Sequence, residues 1–84
     1  MIKDVITFQP DRHEDFRGDI YTNWKKEEYP DLNWRLDKFA HSTKNVLRGL
    51  HGDDKTHKLI SCVYGKFYYI LADARPDSPT YKTW

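Results

Sequence analysis

Leu59-Ile60-Ser61-Cys62-Val63-Tyr64-Gly65-Lys66-Phe67-Tyr68-Tyr69-Ile70-Leu71-Ala72-Asp73-Ala74 is the stretch on which the fold class turns. Its two runs, Leu59 to Tyr64 and Phe67 to Ala74, are rich in β-branched and aromatic residues. Gly65 between them supplies the permissive backbone that a tight antiparallel connection demands. Upstream, Trp34 to Ala40 and Val46 to His51 repeat the texture, and downstream Asp77-Ser78-Pro79-Thr80 reads as a turn. Nearer the start, Val5-Ile6-Thr7-Phe8 and Ile20-Tyr21-Thr22-Asn23-Trp24 are strand candidates, with a turn at Asp15-Phe16-Arg17-Gly18-Asp19 before the second. Lys25 to Asp31 is polar and contains Pro30, so it reads as loop with at most one helical turn. The pattern is all-β.

The chain has 84 residues, which sets a single-domain expectation over 1–84. A domain of that size buries only about 60% of its unfolded surface, so a second subunit or a further segment is expected to help it. Fourteen Lys+Arg stand against 13 Asp+Glu, a balance too even to argue for nucleic acid or a membrane surface as partner. No apolar run approaches the roughly 20 residues of a membrane span, and the start carries no signal-peptide pattern, so a cytoplasmic protein is expected. The single cysteine, Cys62, has no partner for an intrachain disulfide and reads as a small buried hydrophobe in a strand.

The densest chemistry lies in Arg48-Gly49-Leu50-His51-Gly52-Asp53-Asp54-Lys55-Thr56-His57-Lys58-Leu59, which joins two strand candidates. His51 ends one and Lys58 begins the next, positions that are neighbours in an antiparallel pair. An imidazole ordinarily titrates near about 6.5 and so offers a neutral base at pH 7. An ammonium beside it stabilises an oxyanion growing on a carbonyl oxygen. The two together suit proton abstraction next to a ketone, and the fork-shaped Arg48 suits a phosphate or carboxylate. A metal site built on His51 and His57 is the rival reading. It is disfavoured because the two lie across a loop from each other and no second histidine sits beside His51 on its own strand.

Four ordered blocks extend this reading: Asp15-Phe16-Arg17-Gly18; Ser42 with Val46-Leu47-Arg48-Gly49-Leu50-His51; Lys58-Leu59 with Val63-Tyr64-Gly65; and Asp73-Ala74-Arg75 with Ser78-Pro79-Thr80. In order and spacing they resemble the successive motifs of the dTDP-4-dehydrorhamnose 3,5-epimerase family, from about Asp15 to Trp84. The string from Arg48 to Asp53, followed by Lys55-Thr56 and Lys58, looks closest to a branch acting on GDP-linked 4-keto-6-deoxyheptoses. The resemblance implies a cupin-like jelly-roll β-barrel of which this chain supplies the first strands, a homodimer, and a nucleotide-diphosphate sugar substrate used in cell-surface polysaccharide synthesis, with neither metal nor redox cofactor. It also implies roles. His51 stands as the general base at C3 or C5, and Lys58 as the group holding the C4 oxygen. Arg48 and Arg17 contact the diphosphate, Arg17 from across the dimer. Ser42 lines the site wall, and Asp73 with Arg75 forms a strand-end pair near the pocket.

The match departs from the rhamnose-pathway pattern at His13, Thr22, Leu36 and Lys38, all in substrate-contacting stretches, which leaves both sugar and base open. The family's general-acid tyrosine and the carboxylate that orients its base lie in a later portion, and none of Tyr64, Tyr68, Tyr69 and Tyr81 stands at the tyrosine's motif position. The chain is therefore expected to be the N-terminal part of the domain, and a catalytically incomplete binding or dimerisation module is the alternative reading. The bland expectations are strand tyrosines and Trp24, Trp34 and Trp84 in core or dimer packing, His57 packed, His13 and His41 on the surface, and Asp53-Asp54-Lys55 as a solvated loop tip.

Overall fold

A computed structural model describes residues 1–84. The turn expected at Asp15 to Gly18 is a β-hairpin: β1 (Arg12–Asp15) pairs antiparallel with β2 (Gly18–Tyr21), leaving Phe16 and Arg17 as its two-residue tip. The cross-strand register sets Arg12 opposite Tyr21 and Asp15 opposite Gly18. Arg12 uses it twice, with its guanidinium 4.6 Å from the centre of the Tyr21 ring and an ion pair to Asp19. Such cross-strand pairs are the unit by which a short sheet is stabilised. After the hairpin, Lys26–Glu28 forms one turn of 3-10 helix, the single helical turn that a polar segment before Pro30 allows.

The structure is otherwise extended or turn backbone, with no α-helix, in keeping with an all-β chain. The expected strands at 5–8, 34–40, 46–51, 59–64 and 67–74 carry no ladder, and the second strand candidate pairs only as far as Tyr21. The physical reason is that β-propensity expresses a fit to a pleated, half-covered surface; a run with no neighbouring strand and no covering layer gains little from it. Gly65 does mark the connection between the last two runs, with a φ of 80° that an L side chain rarely adopts.

Two compact units make up the chain. One comprises Met1–Asn23 with Ser61–Trp84, the other Trp24–Ile60. The first is tied by the hairpin, by a Ser61 hydroxyl donating to Asn23 Oδ1 at 2.6 Å, and by a polar knot around Asp73 described below. In the second, Trp24 and Trp34 meet with ring centres 6.3 Å apart, and Lys26 Nζ donates to the Leu32 carbonyl at 2.7 Å.

No hydrophobic residue is buried. This corrects two expectations: Cys62 is exposed rather than buried, and His57 is exposed rather than packed. In the single chain Tyr64 and Tyr68 stand in solvent and Trp84 is 81% exposed. The total exposed surface is 8913 Å², against about 14,600 Å² for the unfolded chain, so the fraction buried is about 40% where about 60% was expected. Side chains from Val46, Leu47, Leu50, Val63 and Phe67 to Leu71 are all among the exposed large hydrophobics.

Candidate active site

The loop between His51 and Lys58 is built by Asp53. Its Oδ1 accepts from the backbone N–H groups of Lys55 and Thr56, each at 2.8 Å, and the Thr56 hydroxyl donates to both carboxylate oxygens at 2.6 Å. This is an aspartate folding the chain two and three residues ahead of itself. The Thr56 hydroxyl, then the Lys55 and Thr56 amides, with Lys58 adding a positive charge, lower the Asp53 pKa to about 2. Asp53 therefore organises the loop rather than merely decorating its tip.

His51 and Lys58 flank this loop in the same unit, and both are exposed. Neither side chain spends its hydrogen-bonding capacity on a protein partner, and no hydrogen bond joins them. Behind His51, Gly49 has a φ of 103°, and a Cβ added there would lie 3.6 Å from His51 Nδ1 and from the His51 amide nitrogen. The backbone conformation, more than lack of space, is what calls for glycine at that position.

Arg48 and Ser42 are brought together. Arg48 Nε donates to Ser42 Oγ at 2.8 Å, and a terminal nitrogen donates to the His41 carbonyl at 3.1 Å, which aims the guanidinium along the 41–48 segment. Arg17 is at the hairpin tip in the other unit, with a side chain 77% exposed. Asp15 holds it, with Nε donating to Oδ2 at 3.0 Å and the Arg17 amide donating to Oδ1 at 2.8 Å. Arg17 lowers the Asp15 pKa through these bonds, and Asp15 raises that of Arg17.

Asp73 and Arg75 are likewise joined, as the centre of a knot. Asp73 is 5% exposed and is the one buried polar residue. Its carboxylate accepts from Arg75 Nε at 2.9 Å, from the Ser78 hydroxyl and from the Thr80 hydroxyl, each at 2.6 Å. Its backbone pairs with the far side of the turn, the Lys82 amide donating to the Asp73 carbonyl at 2.8 Å and the Asp73 amide to the Thr83 carbonyl at 2.9 Å. Arg75 then reaches the beginning of the chain, donating to Asp4 Oδ2 at 2.9 Å and to the Lys3 carbonyl at 2.7 Å. Arg75, followed by Ser78 and Thr80, holds the Asp73 carboxyl well below the usual carboxylate range. Asp73 and then Asp4 raise Arg75 in turn. Asp4 and Lys82 are held at φ values of 71° and 69°, a left-handed conformation that costs free energy in a residue with a Cβ. A shallow cleft of about 240 Å³ opens beside Arg75, lined by Lys3, Asp4, Asp77, Ser78 and Pro79.

The sequence thus pointed to Asp73 and Arg75 without revealing what they touch. The signal for Ser78 and Thr80 was present in the hydroxyl spacing of the Ser-Pro-Thr turn, whereas Asp4 lies 71 residues from Arg75 and gave none. No group of three or more His, Cys, Asp or Glu side chains converges in a way that would hold a metal ion. No helix is long and apolar enough to cross a membrane.

Comparison with known proteins places the chain in a lineage. A family profile described as dTDP-4-dehydrorhamnose 3,5-epimerase matches residues 1–84. Among curated proteins, the chain is 33% identical to a dTDP-4-dehydrorhamnose 3,5-epimerase of Salmonella typhimurium, over 99% of this chain and 50% of the relative. It is 31% identical to the Escherichia coli protein of the same name, over 99% of this chain and 49% of the relative. A Neisseria gonorrhoeae protein of that name is 32% identical, with 27% of its length covered. The chain therefore spans about half, or less, of the curated relatives it matches. No solved structure matches it.

Proposed function

The chain belongs to the dTDP-4-dehydrorhamnose 3,5-epimerase family, and from that premise we propose that it carries the proton-abstracting half of a nucleotide-sugar epimerase. The observation that carries the reading is the pair His51 and Lys58, both free of protein hydrogen-bond partners at the two ends of a loop shaped by Asp53. His51 takes the proton from the carbon next to the C4 ketone of a 4-keto-6-deoxy sugar. The C–H electron pair becomes the enolate double bond, and the carbonyl pair moves onto the C4 oxygen, which the Lys58 ammonium stabilises. Return of a proton to the opposite face inverts C3, C5 or both. That step needs an acid on the far side of the ring, which the resemblance puts in the portion of the relatives that this chain does not span.

Arg48, aimed by Ser42, and Arg17 at the hairpin tip grip the diphosphate, Arg17 from across a homodimer. Asp73 and Arg75 form the strand-end pair near the pocket and act through position, because their polar atoms are committed to one another and to Ser78, Thr80 and Asp4. The two units form one cupin-like jelly-roll domain in this reading, working in the cytoplasm on precursors of cell-surface polysaccharide. The segment from Arg48 to Lys58 supports a GDP-linked 4-keto-6-deoxyheptose as substrate, and the dTDP-linked sugar named for the relatives is the comparison.

Incubation with dTDP- and GDP-linked 4-keto-6-deoxy sugars in deuterated water tests the assignment. Deuterium at C3 or C5, lost by about 10²-fold or more in His51→Ala, is the expected result. Undiminished incorporation in His51→Ala would sink it. A second reading is a module that binds a nucleotide sugar without turning it over. It predicts stabilisation by nucleotide diphosphates with no deuterium incorporation.

A further inference from the structure

Resting on the reading of His51 as base and Lys58 as its oxyanion partner, we infer that Asp53 is a positioning residue for the reaction, fixing the loop that places the two groups relative to each other. They act on adjacent parts of one sugar, the imidazole on a carbon and the ammonium on the oxygen of the neighbouring carbonyl. Six residues separate them in the chain. A flexible coil of that length would leave its ends about 15 Å apart on average, and misplacing a catalytic group by about 1 Å can cost about 10²-fold in rate. The loop must therefore be held, and no hydrogen bond from the His51 or Lys58 side chain holds it.

Asp53 meets that need from inside the loop. Its one carboxylate gathers three donors, the Lys55 amide and the Thr56 amide at 2.8 Å and the Thr56 hydroxyl at 2.6 Å. With 53–56 fixed, only Gly52 lies between the turn and His51, and only His57 between the turn and Lys58. Lys58 comes back close enough for its charge to be felt at the Asp53 carboxylate. Asp53 has no hydrogen bond to His51, so it acts through the backbone rather than by orienting the imidazole directly. Asp54, the next residue and also an acid, takes no part in the turn and serves as the control.

The test compares the chain with Asp53→Ala, Asp53→Asn and Asp54→Ala in deuterated water, using dTDP- and GDP-linked 4-keto-6-deoxy sugars as probes and deuterium at C3 or C5 as the readout. Exchange needs only the base and the oxyanion partner, because the deuteron can return from the face that the proton left. Asp53→Ala is expected to lower the rate at saturating sugar by about 10²-fold with KM little changed, the signature of lost placement rather than lost binding. Asparagine keeps a carbonyl oxygen for the two amides and should recover most of that loss, and Asp54→Ala should match the unsubstituted chain. In Asp53→Ala the Thr56 amide shift should move while that of Lys82, in the other unit, stays put, which separates a loosened loop from an unfolded chain. An unchanged rate in Asp53→Ala, a loss confined to KM, no recovery with asparagine, or an equal loss in Asp54→Ala overturns the inference and leaves the epimerase reading intact. An unsubstituted chain that exchanges nothing with either sugar overturns the epimerase reading, and this inference falls with it.

Discussion

The perturbation most revealing of this chain is urea. The slope with which stability falls against denaturant scales with the surface exposed on unfolding. The unfolded chain exposes about 14,600 Å², so a compact domain of this mass would uncover about 9,300 Å² on unfolding, by general size scaling. Starting from 8913 Å² already exposed, the isolated chain has only about 5,700 Å² left to uncover. The ratio is about 0.6. A small compact domain sits near the low end of the usual range, a urea slope of about 1 kcal/mol/M, so the slope expected here is about 0.6 kcal/mol/M, a shallow transition. The assay is far-ultraviolet circular dichroism through a urea titration of the 84-residue chain. A steep transition, with the slope of a compact domain, would refute the reasoning, because it would mean that these 84 residues bury a normal apolar core.

Four further outcomes follow from the site and the knot. Acid should release the two organised carboxylates in order: each has a folded pKa below its unfolded value near about 3.9, so each contributes stability above that value and loses it as pH falls toward the folded pKa. Asp53, at about 2, gives way first and Asp73 later, which the amide shifts of Thr56 and Lys82 in a pH titration would report; Asp73 titrating before Asp53 contradicts the hydrogen-bond geometry. Asp73→Asn should speed hydrogen exchange at the Lys82 amide and loosen the 3–4 segment to proteolysis, while exchange in the 53–56 loop stays unchanged. Lys58→Ala should lower deuterium incorporation by about 10²-fold or more, the usual cost of an oxyanion donor. Chelator treatment should leave incorporation intact if, as proposed, Lys58 carries the enolate charge; loss restored by added metal would favour the His51 and His57 site.

The Asp15 to Gly18 turn was legible in the sequence because its determinants are local: a two-residue tip bounded by residues that pair directly. Gly65 and the 77–80 turn were legible for the same reason. The runs at 46–51 and 67–74 were recognised by composition, yet a ladder depends on a neighbour whose identity a single run does not encode. Burial failed with them. Cys62 and Tyr68 have the character of inward-facing residues, but inward has meaning only when a second layer is present. At the site, Arg48 with Ser42 and Asp73 with Arg75 were named as candidates and are in contact. Asp53 was passed over as a loop tip although its spacing to Thr56 is that of an aspartate-initiated turn.

The knot around Asp73 also makes the chain a ring. The Lys3 amide donates to the Thr80 hydroxyl across 77 residues, and Arg75 ties down Asp4 across 71. Closing so long a loop costs entropy early in folding, which argues that the knot sets late, after more local turns such as the hairpin have formed. The same logarithm makes the ring forgiving, since doubling the enclosed length adds only about 0.6 kcal/mol. Insertions between the hairpin and Ser61 should therefore leave the knot intact. The Lys3–Thr80 and Asp4–Arg75 contacts should accordingly survive such insertions unchanged.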